Sequence, residues 1–302
     1  MANRFPGETC VLCPNFSEGV GEHSWPSWFI EEFRGQGPFN SAKGTVPYTK
    51  RDGVTPVTST ALPSVHVPMC TRCNRHLGTT IEEPAKDVIR RLLPWSAGHV
   101  WPTVTADEAA ALARWFLKIG LLSAHPKGVH DNPRVHADPS FPRFDQVEPE
   151  WMDWMRTGDT PPDAFSVYVT RRSVTSEQPW EGEKLRVIIP DAHVGNRSLH
   201  YMSRSFGIRA LDVNIVWHPG WPIRHPLVED GRATALWANP STVDFGSLPE
   251  VHPDEFRFYP GIGPMQFSGE QFERVSQTPL HVGMDPFASF FGDPTQPHGP
   301  AA

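Results

Sequence analysis

The chain has 302 residues, 38% of them hydrophobic, and a formal net charge of −7 from 27 Lys+Arg against 34 Asp+Glu. Its 33 prolines and 24 glycines follow no three-residue period, which excludes a collagen-like chain and predicts a folded protein rich in loops and turns. No stretch approaches the ~18 consecutive apolar residues of a membrane span, and no heptads persist to make a coiled coil.

The first ten residues, Met-Ala-Asn-Arg-Phe-Pro-Gly-Glu-Thr-Cys, lack the apolar core of a secretory signal, which predicts a cytoplasmic protein. Charge is unevenly spread. Residues 1–95 carry 10 Lys+Arg and 9 Asp+Glu, and the remainder is acidic. Any contact with nucleic acid is therefore expected from a local patch in the first third rather than from a broad basic field.

The four cysteines form two Cys-x-x-Cys pairs, Cys10/Cys13 and Cys70/Cys73, with 56 residues between them. Paired knuckles with no cysteine left over suit one tetrahedral zinc, because soft thiolates favour Zn²⁺ over Mg²⁺ or Ca²⁺. Two disulfides would need an oxidising compartment. A redox Cys-x-x-Cys would be expected beside a βαβ pattern.

Between and beside the knuckles lie Gly21-Glu22-His23-Ser24-Trp25-Pro26 and Cys70-Thr-Arg-Cys73-Asn74. This ordered set resembles the HNH endonuclease family, the zinc-ribbon type of ββα-metal nuclease, over roughly residues 8–93. The resemblance implies that Glu22 and Asn74 hold a catalytic Mg²⁺ or other divalent cation, that His23 is the general base, and that the zinc is structural. The chemistry is consistent with those residue types. Phosphodiester hydrolysis needs a base for water and a cation near the leaving oxygen; imidazole titrates near neutrality, and Glu and Asn offer hard oxygens. DNA is the implied substrate, and RNA is open because the site chemistry does not read the sugar. Two departures stand out. The stretch Pro63–Met69 has no Asn where the family has its middle one, and His66 stands there instead. Adjacent strand residues also point to opposite faces, so Glu22 and His23 need a twist to act together.

Further along, residues 34–62 read as an inserted loop or hairpin whose Lys43, Lys50 and Arg51 are either solvated or aimed at phosphates. Trp25 and Trp28 read as core residues. Ile81, Ala85, Val88, Ile89, Leu92 and Leu93 fall on one helical face ended by Pro94, with Lys86, Arg90 and Arg91 off it. Thr105 and Glu108 make a capping box that opens a helix over about 106–124, with an apolar stripe of Leu112, Trp115, Phe116, Ile119 and Leu122. Residues 126–149, with five prolines and with His130 and His136 (His125 just precedes them), read as a linker. Short strands follow at 165–170, 185–189 and 233–237, and residues 206–217 read as one strand whose phase shift suggests a bulge.

The fold class predicted is α+β: an HNH-like zinc-knuckle module (1–95), a packing helix (96–125), the linker (126–149), an antiparallel β-rich accessory domain (150–285) and a tail (286–302). The predicted function is metal-dependent DNA cleavage. The alternative is a non-catalytic zinc-ribbon protein that binds DNA or a protein partner.

Overall fold

The structure, a computed structural model, describes residues 4–35, 37–40, 42–43, 46–47, 49–93, 100–138, 143–144, 147–172, 186–188, 191–194, 197–200, 202–208, 210–218, 223–251, 265–267 and 280–281. It is a mixed helix and strand fold with antiparallel sheets.

The first part is built on very short strands. Strand β1 (Glu22–His23) pairs antiparallel with β2 (Val65–Val67), which places Glu22 opposite Val67 and His23 opposite His66. Gly21, at φ +73°, lies directly before β1, and a Cβ there would run into the Val67 carbonyl oxygen and the Phe5 ring. Only glycine tolerates both the left-handed backbone and that approach. Helix α1 (Ser27–Glu32) follows β1 and buries Phe29. Trp25, 2% exposed, stacks on Phe29 at 5.0 Å between centroids. Within the segment 34–62, Phe39–Asn40 pairs with Thr58–Ser59, and Ala42–Lys43 with Val46–Pro47, as an inserted hairpin.

Helix α2 (Thr71–Leu77) starts at the second knuckle and runs without a break through a π-helical turn, Gly78–Glu82, into α3 (Glu83–Leu92). The helical run thus begins ten residues before the Ile81 start that the periodicity predicts. Pro84 explains the widened turn: it has no N–H for the carbonyl four residues back, and the helix accommodates it by locally changing pitch. The predicted apolar face, Ile81, Ala85, Val88, Ile89 and Leu92, is buried. Lys86, Arg90 and Arg91 are paired with Glu83, Glu32 and Glu108 respectively.

Helix α4 (Ala106–Ser123) opens with the Thr105/Glu108 capping box, both halves of which are formed. From Trp115 to Ser123 every residue is buried, which makes this a central helix rather than a surface one. It lies between β1–β2 and the large sheet. Trp25 meets Trp115 and Phe206 across it, at 6.2 and 5.8 Å. Gly120 lets Ile215 of the sheet press directly against the helix backbone; a Cβ there would collide with that side chain.

The segment 126–149 contributes structure as well as connection. Strand β3 (Val129–His130) adds to β2, and helix α5 (Pro133–Ala137) follows it. Helix α6 (Pro149–Thr157) buries Trp151, Met152, Trp154 and Met155 and ends on left-handed Gly158. The main sheet consists of β4 (Phe165–Arg172), β5 (Arg186–Ile188), β6 (Met202–Ile208), β7 (Leu211–Trp217), β8 (Thr234–Trp237) and β9 (Glu250–Val251), in the order β5-β6-β7-β4-β8 with β9 also beside β4. The phase shift within 206–217 is therefore a hairpin turn between β6 and β7 rather than a bulge, with Ile208 opposite Leu211. Phe165, Val167, Val169, Val213, Ile215 and Trp217 on one face join a hydrophobic cluster that runs unbroken from the knuckles to Leu248. Among the described residues no helix is long and apolar enough to cross a membrane. The predicted tail, 286–302, lies outside the described residues.

Candidate metal centre and the adjoining histidine site

The two knuckles converge. All four sulfurs, of Cys10, Cys13, Cys70 and Cys73, lie within 4.8 Å of one another. Cys13 Sγ is 3.6 Å from both Cys70 Sγ and Cys73 Sγ. A tetrahedron with metal–sulfur bonds of about 2.3 Å has its sulfurs about 3.8 Å apart, whereas a disulfide needs about 2.05 Å. The four cysteines thus fit a single metal ion such as zinc, and none is disulfide-bonded. Burial pushes the Cys10 and Cys73 thiols up, whereas Cys70, against its burial, is brought down by hydrogen bonds from Cys73 and Cys13; a bound cation would favour the thiolate form. Backbone hydrogen bonds fix the knuckles: Cys10 N–H donates to Asn15 O, and Val11 N–H to Pro68 O. Among the described residues, these cysteines are the one group of three or more Cys, His, Asp or Glu side chains gathered closely enough to hold a metal.

The node ties β1, β2 and α2 into one corner. Asn74, on α2, reaches toward β1, with Nδ2 3.5 Å from Gly21 O. His23 is half-buried, its ring 4.0 Å from that of His66 between centroids. His66 Nε2 is 2.7 Å from Asp131 Oδ1, and Nδ1 is 3.3 Å from Val20 O. Asp131 also accepts from Arg4 at 2.9 Å and from the Ser64 N–H at 3.0 Å. Burial opposes its charge, but the His66, Arg4 and Ser64 hydrogen bonds hold its carboxyl well below the usual range. Burial, then the neighbouring His66, push His23 down to about 4.

Glu22 points the other way, as strand alternation requires. Its Oε1 accepts from Lys118 Nζ at 2.5 Å, and Lys118 also donates to Glu82 Oε1 at 2.7 Å and to the His23 carbonyl at 3.0 Å. Lys118 is fully buried. Burial opposes its charge, but the two carboxylates hold the ammonium above its ordinary value. Burial, aided by the Glu82 carboxylate against the pull of Lys118, raises Glu22 to about 7. The structure therefore brings Asn74 beside the residue that precedes Glu22–His23, sets His23 against His66, and places an ammonium rather than an open space on the Glu22 carboxylate.

Lys118, Glu82, His66 and Asp131 complete this corner; of these, sequence reasoning singles out only His66. Lys118 carried a legible signal: it is one charge inside the apolar run Trp115-Phe-Leu-Lys-Ile-Gly-Leu-Leu122. A lysine in such a setting needs a buried counter-charge. His125 and His130 serve as turn acceptors: their Nδ1 atoms accept from the Lys127 and Asn132 N–H groups at 3.1 and 2.9 Å. No family model, curated protein or solved structure matches the chain.

Proposed function

We propose that the protein is a metal-dependent endonuclease of the HNH kind, hydrolysing phosphodiester bonds in DNA with His23 as the general base. The observation that carries this reading is the corner itself. Four clustered cysteines draw β1, β2 and α2 together, with a half-buried imidazole and a carboxamide on adjoining segments. In this reading the cysteines hold a structural zinc, His23 takes a proton from water, and His66 with Asp131 steadies the His23 ring. A Mg²⁺ or similar ion recruited by Glu22 and Asn74 would supply charge for the phosphate. The Lys118 contact to Glu22 works against that recruitment.

That contact favours a second reading, a non-catalytic zinc protein that binds nucleic acid or another protein. One assay separates the two. Supercoiled plasmid is incubated with the wild-type chain and with His23→Ala in Mg²⁺ or Mn²⁺, with and without EDTA, while zinc content is monitored. The first reading expects nicking by the wild type alone, lost with EDTA, with melting temperature and zinc content unchanged in the variant. Full nicking by His23→Ala sinks the base assignment. No nicking by the zinc-loaded wild type with either cation leaves the second reading. Single-stranded RNA in parallel tests the sugar.

A further inference from the structure

On the far side of α2 from Asn74 lies a cleft of about 920 Å³ between the first knuckle, α2 and the C-terminal end of α6. Its charged lining is Arg72, Arg75 and Arg156 against one carboxylate, Glu18. Glu18 is already engaged by the Thr71 hydroxyl. Arg72 and Arg75 are exposed and make no ion pair with any described residue. Arg156 has only an exposed contact, with its Nε 3.6 Å from Asp153, of the kind that contributes little. His76 Nε2 is buried at the cleft without a hydrogen-bond partner. Arg72, Arg75 and His76 follow the three- and four-residue spacing of one face of α2, and Arg156 comes to the same cleft from α6.

This cluster stands out in a chain of net charge −7. An obvious structural role would be to offset the charge of a zinc tetrathiolate, since Cys13 and Cys73 also line the cleft. However, among the described residues no arginine hydrogen-bonds to a cysteine sulfur, and Arg72 and Arg75 face solvent. The remaining lining is small and polar, including Asn15, Thr79 and Thr157. It has no Phe, Tyr or Trp on which a base would stack, and no large apolar anchor of the kind that dominates protein interfaces. Guanidinium, hydroxyl and amide donors without an aromatic platform suit phosphate oxygens.

We propose that this cleft binds the sugar–phosphate backbone of a nucleic acid through Arg72, Arg75 and Arg156. The site is separate from His23 and does not depend on whether that residue catalyses; it supplies a partner surface under either reading above. The test is fluorescence anisotropy of a labelled 20-nucleotide strand and its duplex, in buffer without divalent cations and across a salt series. The chains compared are the zinc-loaded wild type, Arg72→Gln/Arg75→Gln and Arg90→Gln. Arg90 lies outside the cleft and is held by Glu32 at 2.8 Å. The expected result is salt-dependent binding that the double variant weakens by about tenfold or more at low salt. Its slope against log salt should fall by about 1.4–1.8, at about 0.7–0.9 for each of two phosphate contacts. Arg90→Gln should bind like the wild type, and zinc content should be unchanged throughout. Equal binding by the double variant overturns the proposal, as does an equal loss in Arg90→Gln or competition by millimolar inorganic phosphate alone. A fall in zinc content in the double variant assigns the arginines to the metal node and also overturns it. Binding that persists where the plasmid assay shows no cleavage supports the cleft while removing the nuclease reading.

Discussion

The corner around the knuckles and the large sheet reach order by different means. In the sheet, β7 pairs with β6 and with β4 over seven residues each, and one face is filled with Val, Ile, Leu and aromatic side chains. Such an array supplies its own cooperativity through cross-strand pairs and burial. In the corner, β1 and β2 share two paired positions, far too few to hold a hairpin in water. What holds it, besides its share of the hydrophobic cluster, are four converging sulfurs and one buried ammonium reaching from α4. The lesson is that hydrogen-bonded length and point attachment are interchangeable ways to fix a backbone. Point attachment leaves a short, irregular segment free to present polar groups.

That contrast can be broken most severely at the metal node. Cys70→Ser, or a chelator, should release zinc and melt the corner while the sheet signal persists in circular dichroism. Structural zinc is worth about 10–16 kcal/mol in small zinc peptides, so this should be the largest effect. An unchanged melting curve and zinc content would remove the node from the argument. Next comes the second attachment. Lys118→Met leaves Glu22 and Glu82 buried together and should cost about 3–5 kcal/mol in denaturant unfolding. A loss below 1 kcal/mol would show that the ion triad is idle. Smaller is Gly120→Ala, which sharpens the comparison because it strikes the seam between the two regions. Helix propensity favours alanine by about 1 kcal/mol, but overpacking against Ile215 should cost about 1–3 kcal/mol, giving a net destabilisation.

The gentlest probe is acid. His125 and His130 are buried, and desolvation lowers both to about 4. Their folded values lie below the unfolded value near 6.5, so the unfolded chain takes up protons first. The stability each contributes is complete above about pH 6.5 and is lost progressively as pH falls toward 4. By pH 5.5 the loss should be about 1 kcal/mol for each. Denaturant unfolding at pH 7 and 5.5 measures it, and His130→Gln should flatten the difference. An identical midpoint at both pH values would contradict the burial argument.

What the sequence made legible was whatever depends on near neighbours. The Cys-x-x-Cys pairs, the Thr105/Glu108 capping box and the apolar stripe of α4 are set by spacing within a few residues, and each is found in place. The α+β class followed from the same local patterns. What escaped were partners chosen by tertiary packing. Lys118 meets Glu22 across 96 positions, and no periodicity encodes that distance. Asp131 sits in the proline-rich stretch read as a linker, yet the adjoining Val129–His130 completes a three-stranded sheet and so delivers Asp131 to His66. The turn between β6 and β7 was hidden because two strands with a two-residue connection look like one long strand that changes phase. In each case the missing information was which distant segment supplies the other half of a pair.

The ammonium shared by Glu22, Glu82 and the His23 carbonyl also bears on how the molecule can be divided. A fragment ending near residue 95 would keep the cysteines but strand two acids in an apolar interior with no cation to meet them. The smallest self-sufficient piece around His23 must therefore extend at least through Ser123. Since α4 is buried on all sides from Trp115 to Ser123, such a piece would need new polar side chains where Ile215 and Phe206 now cover it.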